Sequence, residues 1–170
     1  MTNVKRGMTV QTKSKSDILV IGILLILFGA ILIITMATRK AGEQAFVKFK
    51  NEILFTINLE NGRFTKAESQ TVFEVNSLPN IQGEKLYIDT VEFTELELGK
   101  GIVKYEDNYF ILGNLGFIWI EYSNHKVRVK EETSPYNICS RVGFSDVQPI
   151  ICLPNFVTIE FRDLGLDVII

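Results

Sequence analysis

Cysteine and histidine are scarce: the 170 residues hold two Cys and one His. That scarcity removes several kinds of chemistry. A zinc site takes three or four ligands, and Cys139, Cys152 and His125 do not meet that need. A dithiol redox centre normally shows Cys-x-x-Cys, whereas these cysteines stand at 139 and 152. His125 is the sole imidazole available to a Ser-His-Asp arrangement. It falls in an Asn-His turn, and no Gly-x-Ser-x-Gly elbow accompanies it. No glycine-rich phosphate loop is visible, because Gly99 and Gly101 belong to a Gly-Lys-Gly turn. Low-complexity linkers and internal repeats are missing too. The expectation is a protein that is not an enzyme and carries neither a cofactor nor a metal.

Charge is scarce in one direction only. The net charge of −2 conceals six Lys/Arg and one acid in residues 1–40, against twelve bases and nineteen acids in the remainder. The larger part is acidic and lacks a basic stripe for phosphates to follow, which argues against a nucleic-acid partner.

What the chain does have is a long apolar run. "ILVIGILLILFGAILIITMA", residues 18–37, contains no charge, and fourteen of its residues are Ile, Leu, Val or Phe. As a helix it would extend about 30 Å, the thickness of a bilayer core. At roughly −0.3 to −0.6 kcal/mol for each such residue, insertion is favoured by several kcal/mol. A buried core helix would show a polar face, and none is visible. A cleaved signal peptide has a shorter apolar region and a small-x-small cleavage site; "TMATRK" fits that poorly. The reading is a single-pass anchor with a cytoplasmic basic tail at 1–17. Basic residues flank both ends, with Arg39, Lys40, Lys48 and Lys50 after the helix. Because the tail is short and the folded part acidic, the expected orientation is N-terminus inside and C-terminal domain outside the cytoplasmic membrane. Gly22, Gly29 and Ala30 fall on roughly one helical face, read as ordinary small residues of a membrane helix.

From residue 44 the apolar pattern changes to a period of two. "AFVKFKNEILFTINLENG" reads as strand, tight turn, strand: Ala45, Val47 and Phe49 share one face, and Phe55, Ile57 and Leu59 another. Asn51 suits a positive φ in the first turn, and Asn61-Gly62 is a strong turn signal. "KVRVKEE" (126–132) places Val127 and Val129 inward, and "NFVTIEF" (155–161) groups Val157, Ile159 and Phe161. "LGFIWIEY" (115–122) is apolar on both faces, as in a central strand covered on both sides. These short strands predict an all-β fold for 41–170, a compact sandwich or small barrel. The stretch 77–114 differs, with seven acids and three bases. Its alternation slips between Phe93 and Leu96, which a bulge near Thr94 would reconcile. Glu92, Glu95, Glu97, Glu106 and Asp107 make this stretch the candidate contact surface.

"FIWIEYSNHKVRVKEETSPYNICSRVGF" followed by "PIICLPNFVTIEF" resembles the NusG domain II family of small bacterial membrane-anchored proteins. The matching motif positions are Asn137, Ile138, Cys139, Gly143, Cys152, Leu153, Pro154 and Asn155. The family's first cysteine is replaced by Ser134, in "TSPYNIC", and 77–114 looks like an insertion that the family core lacks. The resemblance implies a compact β-fold like the inserted second domain of some transcription factors of that name. It does not imply their activity, since neither an RNA-polymerase-binding domain nor a KOW-type segment is visible.

Two readings of Cys139 and Cys152 stay open at this level. In an oxidising compartment a hairpin could join them in a disulfide; alternatively they are small buried hydrophobes. Pro154 fits a strand end, and Asn155 a local Asx turn. The functional expectation is a membrane-anchored, non-enzymatic binding or accessory module, outside the cytoplasm, with a membrane or envelope protein as partner. The rival is an accessory part of an envelope redox or flavin-linked system.

Overall fold

The computed structural model describes residues 15–37 and 41–163. It has two units, an N-terminal helix and a β domain. The tail at 1–14 and the pair Arg39 and Lys40 lie outside the described residues.

Helix α1 spans Lys15–Ala37 and so begins before the expected Ile18. Its stretch Ile18–Thr35 is long and apolar enough to cross a membrane, and none of it is buried. The hydroxyl of Thr35 donates back to the Leu32 carbonyl at 2.9 Å, so it adds little polarity to that surface.

The β domain opens with β1 (Gln44–Phe49), β2 (Glu52–Asn58) and β3 (Phe64–Lys66). Strands β4 (Val72–Glu74), β5 (Asn80–Gln82), β6 (Lys85–Ile88) and β7 (Val91–Phe93) follow. Then come β8 (Ile102–Tyr105), β9 (Asn108–Gly113), β10 (Gly116–Ser123) and β11 (Lys126–Glu132). Strands β12 (Ile150–Cys152) and β13 (Val157–Arg162) end the described part. They form a five-stranded sheet β12-β13-β1-β2-β3, a second five-stranded sheet β11-β10-β9-β8-β4 and a three-stranded meander β5-β6-β7.

The alternation explains the layering. Ile118 and Ile120 of β10, with Ile111 and Val129, pack against Val47, Phe55, Ile57 and Ile159 of the first sheet. Phe117 and Trp119 point the other way and pack with Phe110 and Val103 against Ile81 and Leu86 of the meander. Strand β10 is therefore covered on both faces, as its doubly apolar sequence requires. Tyr109 lies in the first core, where burial pushes its hydroxyl above the usual tyrosine range, helped by the nearby charge of Asp107.

Two bulges shift the expected alternation. The first, between Val47 and Lys48, leaves both Leu54 and Phe55 buried. The second lies opposite Trp119 and Ile120: Val129 pairs with Ile120, Glu131 with Trp119 and Glu132 with Ile118. That extra residue moves Glu132 to the inward side, with Val127 and Val129.

Turn chemistry departs from expectation in detail. The positive φ of the β1–β2 turn falls on Lys50 (56°) and not on Asn51. Asn124 and His125 both have positive φ, as a two-residue type I′ hairpin turn requires. No bulge forms at Thr94, because β7 ends at Phe93 and the chain leaves the ladder before Leu96 is buried. The stretch 77–114 is not one appended piece. Residues 80–93 make the meander, but 102–113 supply β8 and β9, whose Ile102, Val103, Phe110 and Ile111 are core residues.

Because one sheet carries both cores, they should fail together. Ile118→Ala and Phe110→Ala, one on each face, are each expected to destabilise the domain by about 2–5 kcal/mol. Both should shift a single urea transition followed by Trp119 fluorescence. Two separable transitions would show that the meander-side core stands apart.

Candidate functional site

The inward turn of Glu132 defines a corner of the domain. After β11 the chain leaves the sheet at Thr133 and runs to a short 3-10 turn at Ser140–Val142. Along residues 134–144 the Ser134 N–H donates to the Glu132 carbonyl and the Val142 N–H to the Cys139 carbonyl. Side chains do most of the holding. Cys139 forms a disulfide with Cys152, the last residue of edge strand β12, with Cα atoms 5.4 Å apart. The link joins a loop to a sheet edge, not two arms of a hairpin. Both cysteines also belong to the first core. A closed loop with a sequence separation of 13 is worth about 3 kcal/mol in the chain-entropy account.

Glu132 adds a second tie. Its Oε1 accepts the Cys139 N–H at 2.8 Å, and its Oε2 faces Cys152 Sγ at 2.6 Å. The carboxyl is buried, and among the described residues it has no Lys or Arg partner in an ion pair. Glu132, Cys139 and Cys152 present ligand-type atoms within 4.8 Å of one another. With the sulfurs in a disulfide the trio offers no thiolate, so in this state it is not a metal centre.

Asn155 is the third tie, and it departs from the local Asx turn expected of it. Its Oδ1 accepts the Leu115 N–H at 2.8 Å, and its Nδ2 donates to the Thr133 carbonyl at 3.0 Å. Fully buried, it connects the Leu153–Asn155 turn with the β9–β10 turn and the end of β11. Gly113 makes this approach feasible: a Cβ there would lie 2.8 Å from the Asn155 Cβ. Pro154 is the second residue of the 3-10 turn that follows β12, consistent with a residue that cannot donate to a ladder. Asn137 has φ of 47° and Gly143 of 74°, so each end of the Cys139 loop bends through the left-handed region.

The outside of this corner is apolar. Tyr136, Ile138 and Val142 on the loop are exposed, as are Ile151, Leu153 and Phe156 beside Cys152; Tyr136 and Leu153 reach 71%. Residues 133–159 contain one base, Arg141, and one acid, Asp146, in an otherwise acidic domain. Next to the rim lies a groove of about 730 Å³, lined by Ile81, Leu98, Leu112, Leu115, Glu132 and Pro135 among others. Large apolar side chains exposed together on neighbouring segments are the composition of a contact site.

The five acids of the expected contact surface do not gather into one face. Glu92 pairs with Lys85 and Glu97 with Lys100, whereas Glu106 and Asp107 form the β8–β9 turn. The Gly99 N–H bonds Leu112 at one end of β9 and Asp107 adjoins Asn108 at the other, about 13 Å away along a strand. The Nδ1 of His125 lies 2.9 Å from the Leu59 carbonyl, a contact that ties the β10–β11 turn to the end of β2. Sequence reasoning missed Glu132, because strict alternation from Val127 and Val129 would turn Glu131 inward. It also missed the apolar rim, whose residues read as ordinary strand and turn positions.

Comparison with protein-family models, curated proteins and solved structures returns no match to this chain.

Removing the buried Asn155 side chain takes away the partners of the part-buried Leu115 N–H and Thr133 carbonyl. Asn155→Ala is expected to destabilise the domain by about 1–3 kcal/mol, read by urea denaturation. A loss below about 0.5 kcal/mol would show that the clamp is dispensable.

Proposed function

We propose that this chain is a single-pass membrane-anchored binding or accessory module of the NusG domain II type, without enzymatic activity of its own. Its domain lies outside the cytoplasm, and its partner is another membrane protein or an envelope component. The observation that carries this reading is the charge-poor apolar rim held on the Cys139–Cys152 corner of an acidic domain. Isolated surface hydrophobes are ordinary, but six large ones on two segments joined by a disulfide are a contact surface in composition. This corner takes the place of the acidic residues as contact face. The uncharged stretch Ile18–Thr35 supports the anchor, and a disulfide supports an oxidising compartment. The motif from Asn137 to Asn155 supports the family resemblance.

Location and contact can be read separately in intact cells. A cysteine placed at exposed Glu95 should react with a membrane-impermeant maleimide before lysis, with the unsubstituted protein as control. Labelling only after lysis would put the domain in the cytoplasm.

A photo-crosslinking residue at Leu153 or Tyr136 should capture one membrane or envelope protein, and the same residue at Glu92 should not. Ile151→Asp should reduce that capture about tenfold or more. Equal capture from Glu92, or none from the rim, would defeat the assignment of the face.

A further inference from the structure

We infer that the pocket between the β2–β3 turn and the β8–β9 turn is a binding site for a small organic ammonium, an aliphatic amine in its charged form. It lies away from the disulfide corner, since β3 and β12 are opposite edges of the first sheet. The inference stands whether or not the apolar rim holds a partner.

The Tyr109 side chain carries it. Tyr109 is only 1% exposed, and its ring packs on Phe55 and Phe64 in the first core, with centroids 5.1 and 5.2 Å away. Polar groups buried to this degree are normally paired. Its neighbours follow that rule: the Tyr122 hydroxyl donates to the Leu59 carbonyl at 2.8 Å, and Trp119 Nε1 donates to Asn108 Oδ1 at 2.8 Å. The Tyr109 hydroxyl has no hydrogen-bond partner among the described residues. It is not sealed in the core either, because Tyr109 lines a pocket of about 450 Å³. Gly62 helps to build the facing wall: a Cβ there would stand 2.7 Å from Tyr122 Cε1, so only glycine lets the β2–β3 turn come this close.

The lining sets the chemistry of the ligand. Glu106 and Asp107, in the β8–β9 turn, enter no ion pair among the described residues, whereas Glu74 is held by Lys104 at 3.2 Å. Burial, and then the charge of nearby Asp107, hold the Tyr109 phenol above its usual range, so it stays neutral and keeps an acceptor lone pair. Phe64, stacked on Tyr109 at 12°, adds an apolar wall. An alkylammonium has three N–H donors on an apolar stem. The donors match two carboxylates and the phenol oxygen. The stem matches the Phe64 ring, whose face also attracts cations. An anion would meet three carboxylates against one ammonium. A calcium ion takes about six to eight oxygens, more than this turn and one phenol supply. The volume suits a small molecule, for which pockets run roughly 300–1,000 Å³.

The test uses the isotope-labelled full chain in nonionic detergent micelles, titrated with butylammonium chloride at constant ionic strength and followed by amide NMR shifts. The amides of Gly62, Phe64 and Asp107 should move together and saturate. Butanol, which has the stem without the charge, and sodium butyrate, which reverses the charge, should not saturate them. Tyr109→Phe keeps the ring and removes only the hydroxyl. Since that hydroxyl bonds nothing in the protein, the variant should unfold in urea no earlier than the wild type, yet bind butylammonium about three- to tenfold more weakly. Asp107→Asn, a substitution in an exposed turn, should weaken binding about tenfold or more.

Bicelles of phosphatidylglycerol, with and without phosphatidylethanolamine and with no amine added, separate two sources of the ammonium. Movement of the same amides on adding phosphatidylethanolamine assigns it to a lipid headgroup, and no movement assigns it to a free amine. Four results of the titration overturn the proposal: no saturable shift at these amides, binding by Tyr109→Phe as tight as by the wild type, equal saturation by butanol or butyrate, or saturation by calcium chloride at a lower concentration than butylammonium.

Discussion

The structure depends on one sheet being buried on both faces. Strand β10 places Ile118 and Ile120 in one core and Phe117 and Trp119 in the other. Two cores on one strand leave little freedom in register, because a slip by one residue would exchange every side chain between layers. The bulge opposite Trp119 and Ile120 adjusts β11 within that constraint. It keeps Val127 and Val129 inward and lets Lys130 lie over the Trp119 ring at 3.9 Å. Its further consequence is the inward Glu132. The polar corner is therefore a product of how β11 fits a doubly buried neighbour.

The layers were legible in the sequence wherever the alternation is regular. Val127 and Val129, Val157 and Ile159, and the doubly apolar β10 all lie as their pattern indicates. So does the apolar helix, since Ile18–Thr35 has no polar face to bury. What escaped was each place where the chain inserts one residue or leaves the ladder. Leu54 and Glu132 are buried through bulges, and a bulge carries no marker when it needs no glycine. In the stretch 77–114 the charge is continuous while the packing is divided between the meander and the second sheet. Val103 and Phe110 are core residues although Lys104 follows the first and Glu106, Asp107 and Asn108 lie within the same short hairpin.

The candidate site was legible only as a pair of cysteines. Their spacing left a disulfide and plain packing equally open, and both descriptions apply: the pair is bonded and belongs to the core. Asn155 could not be placed from sequence, because its partners Leu115 and Thr133 are brought to it by the sandwich. The apolar rim was hidden for a related reason. Ile151 and Leu153 alternate with buried Ile150 and Cys152, so they look like the normal outer face of a strand. Only the topology shows that β12 is an edge strand and that the loop carrying Tyr136 and Ile138 lies beside it.

Rim and buried carboxyl are physically coupled. The segment that displays Tyr136, Ile138 and Val142 has few backbone bonds to the sheets. Its position rests on the disulfide and on the Cys139 N–H that Glu132 accepts. Cutting the first tie changes the partner of the second, because a free Cys152 thiol presents Glu132 with a donor that the disulfide lacks. The oxidised corner holds six exposed apolar side chains in a fixed array, and a fixed array spends less conformational entropy on binding. The reduced corner keeps the same side chains on a looser loop. A contact face whose rigidity depends on one sulfur–sulfur bond is thereby sensitive to the redox state of its compartment.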